Sequence, residues 1–311
     1  MHSQTPTLAD EILKPVTEFF TCAGHREIAF CQLGDPEGIP VFYAHGAPSS
    51  KSEAMIFHRA AYKYGFRLIA SDRPGFGESE FAPNRRLLDY PQDMAALADS
   101  LNIETFGVLG WSAGAAHTIA CAYAIPDRLR FNITVAGYTN FKELPNAKSF
   151  LANSADRFAV SIAHCCPPLF RAFFTILKVG VDRFPNQTFK AFLKQLSPGD
   201  IEIAHSSGFK DTLLKMQQEA FSHGSAGVAH DARIHYADWG FKIAEIIYPL
   251  HIIHGRSDRL VPYEFGEHLS QNIQNATLQT LENEGHFYPY RHADPIFKLA
   301  RDLNKDQDDT L

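Results

Sequence analysis

Ser112 lies in the pentapeptide Gly110-Trp111-Ser112-Ala113-Gly114, between an apolar run at 106–109 and an alanine-rich run at 113–124. Gly-x-Ser-x-Gly alone is a weak pattern. At a strand-to-helix junction, however, it forces a sharp turn that projects the hydroxyl from the sheet edge. Gly110 and Gly114 leave room for neighbouring backbone, and the helix that follows aims its first amides at any oxyanion formed there. A serine hydroxyl is a poor nucleophile until a base takes its proton, and that imidazole needs a carboxylate to fix its tautomer. His286, after Glu284-Gly285, serves as base and acid, with Gly285 giving its loop freedom to turn; Asp258, just past LHIIHG, is the orienting acid. Together they point to acyl transfer to water.

Each residue alone has an ordinary reading. Ser112 could cap a helix, Asp258 could form a turn before Pro262, and His286 is one of 15 histidines. All three readings would have to hold at once, in register with strand ends, which favours the catalytic one.

Alternating strand-like and helix-like segments must position these groups, a pattern that predicts an α/β fold with a mostly parallel sheet. Strands are expected at 17–21 and 26–32, paired across a Gly24 turn, then at 40–44, 67–71, 106–109 and 131–136. Helices are expected at 52–64, 89–101 and 113–124. From 138 to 245 the alternation gives way to helical stretches punctuated by prolines, read as an inserted cap; Phe209, Leu213, Met216 and Ala220 share one helix face there. The core therefore comprises 1–137 and 246–311, the second part with strands at 250–254 and 277–281, a helix at 263–272 and a last helix from about Pro295. The tail DQDDTL is expected to fray.

With His45-Gly46, Asp72-Arg73-Pro74-Gly75-Phe76-Gly77, His254-Gly255-Arg256-Ser257-Asp258 and Gly285-His286, the chain resembles the cap-bearing serine hydrolases of the α/β-hydrolase superfamily, in the esterase and proline-iminopeptidase-like group. The motifs follow the family's order of nucleophile, acid and histidine. The resemblance implies an eight-stranded sheet flanked by helices with an inserted helical cap. It also implies an oxyanion hole built from the backbone amides of Ala113 and Ala47. A serine at the elbow argues against dehalogenase and epoxide-hydrolase chemistry, whose enzymes carry aspartate there. Esters are the default substrate, with proline-releasing aminopeptidase and carbon-carbon bond hydrolase as alternatives, and a hydrolase-fold receptor as the non-enzyme rival. An aminopeptidase would need cap carboxylates, for which Glu143 and Glu219 are candidates without pattern support.

Arg73 and His45 read as structural. Trp111, beside the serine, could line a substrate pocket or pack helix against sheet, and Trp239 reads as packing. The cap histidines 164, 205, 223, 230 and 235 match no zinc spacing, so neither metal nor cofactor is expected. A net charge of −6 with no basic run argues against nucleic acid. The five cysteines, Cys22, Cys31, Cys121, Cys165 and Cys166, lack metal spacing, read as core-packing free thiols and, with an N-terminus unlike a secretory signal, suggest a cytoplasmic protein. The apolar stretch 158–181 is broken by His164, Pro167, Pro168, Arg171 and Lys178, so cap helices explain it better than membrane insertion, with a lipid-like substrate within their reach. Phenylalanines 150, 158, 170, 173 and 174 suggest a small apolar acyl or aromatic substrate. A homodimer remains open.

Overall fold

The computed structural model describes residues 15–22 and 24–308. The expectation of no secretory signal concerns mainly the first 14 residues and lies outside them. Eight strands form one sheet: β1 (Glu18–Thr21), β2 (Glu27–Gly34), β3 (Ile39–Ala44), β4 (Phe66–Ser71), β5 (Phe106–Trp111), β6 (Leu129–Val135), β7 (Leu250–Gly255) and β8 (Ala276–Leu281). Their order is β1-β2-β4-β3-β5-β6-β7-β8. The β1–β2 hairpin and the β2–β4 pair are antiparallel, and every pairing from β4 through β8 is parallel. Central β5 is buried along its whole length, as expected of a parallel strand covered on both faces, whereas terminal β8 is at best half-buried.

Side chains alternate between the two faces. Val41, Tyr43, Leu109 and Trp111 enter one core, while Phe42, Ala44 and Val108 enter the other. The first face is covered by α1 (His58–Tyr64) and the carboxyl-terminal helix, the second by α2 (Asp89–Ser100), α3 (Ala113–Ala124) and a helix after β7. The segment expected as one helix at 52–64 is a 3-10 helix, Lys51–Phe57, followed by α1.

Between β6 and β7 come α4 (Ala147–Phe150), α5 (Ser154–Cys165), α6 (Pro167–Arg183), α7 (Pro185–Leu193), α8 (Pro198–Ala204), α9 (Phe209–Ala220) and α10 (Ala226–His235). Three of them begin on proline, whose missing N–H costs nothing at a first turn. After β7 come α11 (Tyr263–Asn272) and α12 (Pro289–Asp308). The last helix thus begins earlier than Pro295 and is interrupted by non-helical backbone at His292, so Pro295 falls in the first turn of its second half. It also runs to Asp308, into the stretch expected to fray; the remaining three residues lie outside the description.

Candidate active site

The chain turns from β5 into α3 at Ser112, whose φ of 56° and ψ of −123° are rare for a residue with a side chain. The turn is held by packing. A Cβ on Gly114 would lie 1.9 Å from the Ala44 carbonyl oxygen, so only glycine lets α3 approach β3 this closely. The Ser112 amide meanwhile extends the sheet by donating to the Val135 carbonyl at 2.9 Å.

Asp258 follows β7 in a turn that uses both of its carboxylate oxygens. Oδ1 accepts the amides of Leu260 and Val261 at 2.8 and 2.9 Å, and Oδ2 faces His286 Nδ1 at 2.7 Å. Ionised Asp258 can only accept, so Nδ1 carries the proton and Nε2 remains free. Burial disfavours the charged imidazolium, but the charge and hydrogen bond of Asp258, with the charges of Asp200 and Glu53, outweigh it and hold His286 above its ordinary value.

Two clamps fix the His286 backbone. Its amide donates to Asp200 Oδ2 at 3.0 Å, the next amide, of Phe287, donates to Asp200 Oδ1 at 2.8 Å, and its carbonyl accepts Trp111 Nε1–H at 3.2 Å. Asp200 comes from α8 and is wholly buried, with Ser197 Oγ donating to its Oδ2 at 2.7 Å. A Cβ at Gly285 would meet Asp200 Oδ2 at 2.1 Å. Gly285 is therefore needed for close approach, whereas freedom to turn was the expected reason; its φ lies outside the left-handed range.

Ser112, His286, Ala47 and Ala113 all line one cavity of about 450 Å³ between the strand ends and the helical insertion. Among the described residues, the amides of Ala47 and Ala113 have no protein acceptor. The neighbouring Gly46 amide donates to Glu53 Oε2 at 2.6 Å, and Tyr43 OH donates to the same oxygen at 2.6 Å. Burial pushes the Glu53 carboxyl above its usual range, against these two hydrogen bonds.

A charge network lies behind the elbow. Asp231, from α10, accepts from Arg73 Nε and Nη2 and from Arg85 Nη2, all three side chains being buried. Burial opposes its charge, but the two guanidiniums hold its carboxyl well below the usual range. His117, Asp231 and His235 lie close enough together to share a cation, yet both Asp231 oxygens already receive guanidinium hydrogens, and the two guanidiniums more than balance its charge. These residues do not fit a metal. Burial, with Arg73 and Arg85, lowers His235 to about 4 despite Asp231, so it is neutral and its Nε2–H donates to the Ala113 carbonyl at 2.9 Å.

Arg73 and His45 are structural, as expected; His45 is buried and its Nε2 accepts the Arg73 amide at 3.2 Å. Trp111 both packs and lines the cavity, and Trp239 packs beside Phe241 away from it. Glu143 and Glu219 do not line the cavity, but Glu53 and Asp156 do. Among the cysteines, Cys22, Cys31 and Cys121 are buried, whereas Cys165 is exposed and Cys166 half-buried, so core packing accounts for three of the five.

A mostly parallel eight-stranded sheet, a serine at the β5–α3 turn and a carboxylate-histidine pair beyond the later strands define the class of α/β hydrolases. The family model described as "alpha/beta hydrolase fold" matches residues 39–293, and the chain belongs to that family. It is 26% identical over 245 residues to 2-hydroxy-6-oxononadienedioate/2-hydroxy-6-oxononatrienedioate hydrolase 2 of Pseudomonas putida, covering 77% of each chain. It is 25% identical to a bifunctional esterase/perhydrolase of Acinetobacter calcoaceticus, over 88% of this chain and 94% of that protein. The esterase of Exiguobacterium antarcticum superposes with a TM-score of 0.67 at 17% identity, over 93% of this chain and all of that one, a likeness of fold.

Proposed function

We propose that the protein is a serine hydrolase that cleaves neutral carboxylic esters with largely apolar acyl groups through an acyl-enzyme, with the insertion acting as a substrate-binding cap. The observation that carries this reading is His286, paired with buried Asp258 at 2.7 Å and lining the same cavity as a serine held in a strained elbow. Ser112 Oγ attacks the ester carbonyl and its proton passes to His286 Nε2. The amides of Ala47 and Ala113 stabilise the oxyanion; a single such donor typically contributes about 2.7–4 kcal/mol. The imidazolium protonates the departing alcohol, and water, deprotonated by the same nitrogen, releases the acid.

Carbon-carbon bond cleavage is the second reading, favoured by the Pseudomonas putida relative. That relative's name specifies a dioate. Here the described residues lining the cavity include no lysine or arginine, and the titratable acids are Glu53 and Asp156. A dianionic substrate would enter without a counter-charge, whereas a neutral ester would not need one. Free thiols fit a reducing compartment, which makes the cytoplasm the proposed location.

A panel of p-nitrophenyl esters of graded chain length, run beside proline arylamides and a dienedioate, tests the choice. Ester turnover lost in Ser112→Ala supports it, and turnover of only the amides or only the dioate overturns it. Fluorophosphonate labelling of folded protein separates an enzyme from a hydrolase-fold receptor, since labelling must occur at Ser112.

A further inference from the structure

Helix α6 is apolar over more of its circumference than the fold covers. Phe170, Phe174 and Val181 form its buried face, and Arg171, Thr175, Lys178 and Asp182 form a polar stripe. A third stripe, Leu169, Ala172, Ile176 and Val179, recurs at helical spacing and is exposed, with Ile176 at 73%. Of the twelve large hydrophobic residues exposed among the described residues, six fall within 150–184, including Phe158 on α5 and Phe184 just before α7.

The same segment is basic. Residues 150–195 carry six Lys and Arg against two Asp and Glu, a net of +4 in a chain whose total is −6, which leaves −10 for the rest. A second copy presenting this face would meet like charge. An anionic bilayer fits both features, because its headgroups attract the basic side chains and its acyl boundary accepts the apolar ones.

The exposed stripe continues into the cavity wall. Phe173 is four residues after Leu169 and three before Ile176, so it neighbours both on the helix surface, and with Leu177 it lines the cavity. We propose that the outward face of α5–α7 docks on an anionic lipid surface, placing the cavity beside the bilayer without insertion of any helix. Among the described residues no helix is long and apolar enough to cross a membrane. Docking is independent of the reaction assigned to Ser112, because binding is read without turnover.

The test is sedimentation of the full chain with vesicles of phosphatidylcholine alone or with about one-third phosphatidylglycerol, at about 0.1 M salt. The expected result is binding to the anionic vesicles that weakens as salt rises. Ile176→Asp with Val179→Asp, and separately Arg171→Glu with Arg183→Glu, should each weaken the partition at least about tenfold. Both variants should keep wild-type circular dichroism and labelling by a soluble fluorophosphonate, which shows that they fold. Equal binding by wild type and folded variants, or no binding to anionic vesicles, overturns the proposal. So does light scattering that shows the apolar stripe holding a dimer while vesicles are ignored.

Discussion

Asp200 and His286 stand 86 residues apart in the chain, yet an Asp200 carboxylate oxygen accepts the His286 amide at 3.0 Å. The insertion thereby reaches across to the loop that carries the proposed general base, and its second oxygen holds the next amide as well.

Asp200→Asn keeps the shape but loses the charge and one of the two acceptors. We expect kcat to fall about 10- to 100-fold with little change in KM. The Asp200 charge also helps raise His286, so the acid limb of kcat/KM against pH should move to lower pH. A change in Tm alone, with the limb unmoved, would mean that Asp200 only braces the loop. Gly285→Ala, which places a methyl against the same carboxylate, should lower both kcat and Tm.

The wild-type pH profile has a predicted sign. His286 must be neutral to accept a proton and its pKa is raised, so ester hydrolysis should rise with pH through a midpoint above the ordinary value of about 6.5. Glu53→Gln removes a neighbouring negative charge and should lower that midpoint; an unmoved midpoint would rule out the Glu53 contribution.

Ser112→Ala should lower kcat/KM by about 10⁴-fold or more, and Asp258→Asn by about 10⁴-fold, while far-ultraviolet circular dichroism stays native. Retained turnover in Ser112→Ala would reject the proposed nucleophile.

Asp231→Ala leaves Arg73 and Arg85 buried without their shared carboxylate. Breaking such a pair costs about 3–5 kcal/mol, which should lower Tm by about 10 °C. Differential scanning calorimetry checks this.

Stability should also fall in acid. Burial holds His45 and His117 well below their ordinary value and His235 at about 4. Below about pH 6.5 the unfolded chain binds protons that the folded chain refuses, so stability drains away as pH falls from there toward 4. Asp231, depressed in the fold, adds to the loss at still lower pH, as its carboxylate is protonated. His286, raised in the fold, acts oppositely, its contribution being fully present below about pH 6.5 and lost as pH rises through its folded value. Urea midpoints measured from pH 7 to pH 4 test the net sign.

The strands, the elbow and the carboxylate-histidine pair were legible because each follows from local pattern: apolar runs, glycines flanking a serine, and polar residues just past strand ends. Asp200 was not, because its partner is 86 residues away. Asp231 was hidden by its sequence separation of 158 from Arg73. Glu53 is only seven residues from the amide it accepts, but a buried carboxyl has no sequence signature until burial itself is known. The start of α12 was displaced because Pro295 suits a first turn and obscures the helical turn that precedes it.

In the proposed ester hydrolysis each turnover leaves behind an acid, which ionises at neutral pH. The wall that receives this new anion offers Glu53 and Asp156 and no lysine or arginine among its described residues. The proposed reaction would therefore turn a neutral guest into an anion for which the chamber holds no cationic side chain of lysine or arginine, which favours departure of the acid. Inhibition by the carboxylate product should accordingly be weak, and it should strengthen when Asp156 is replaced by lysine.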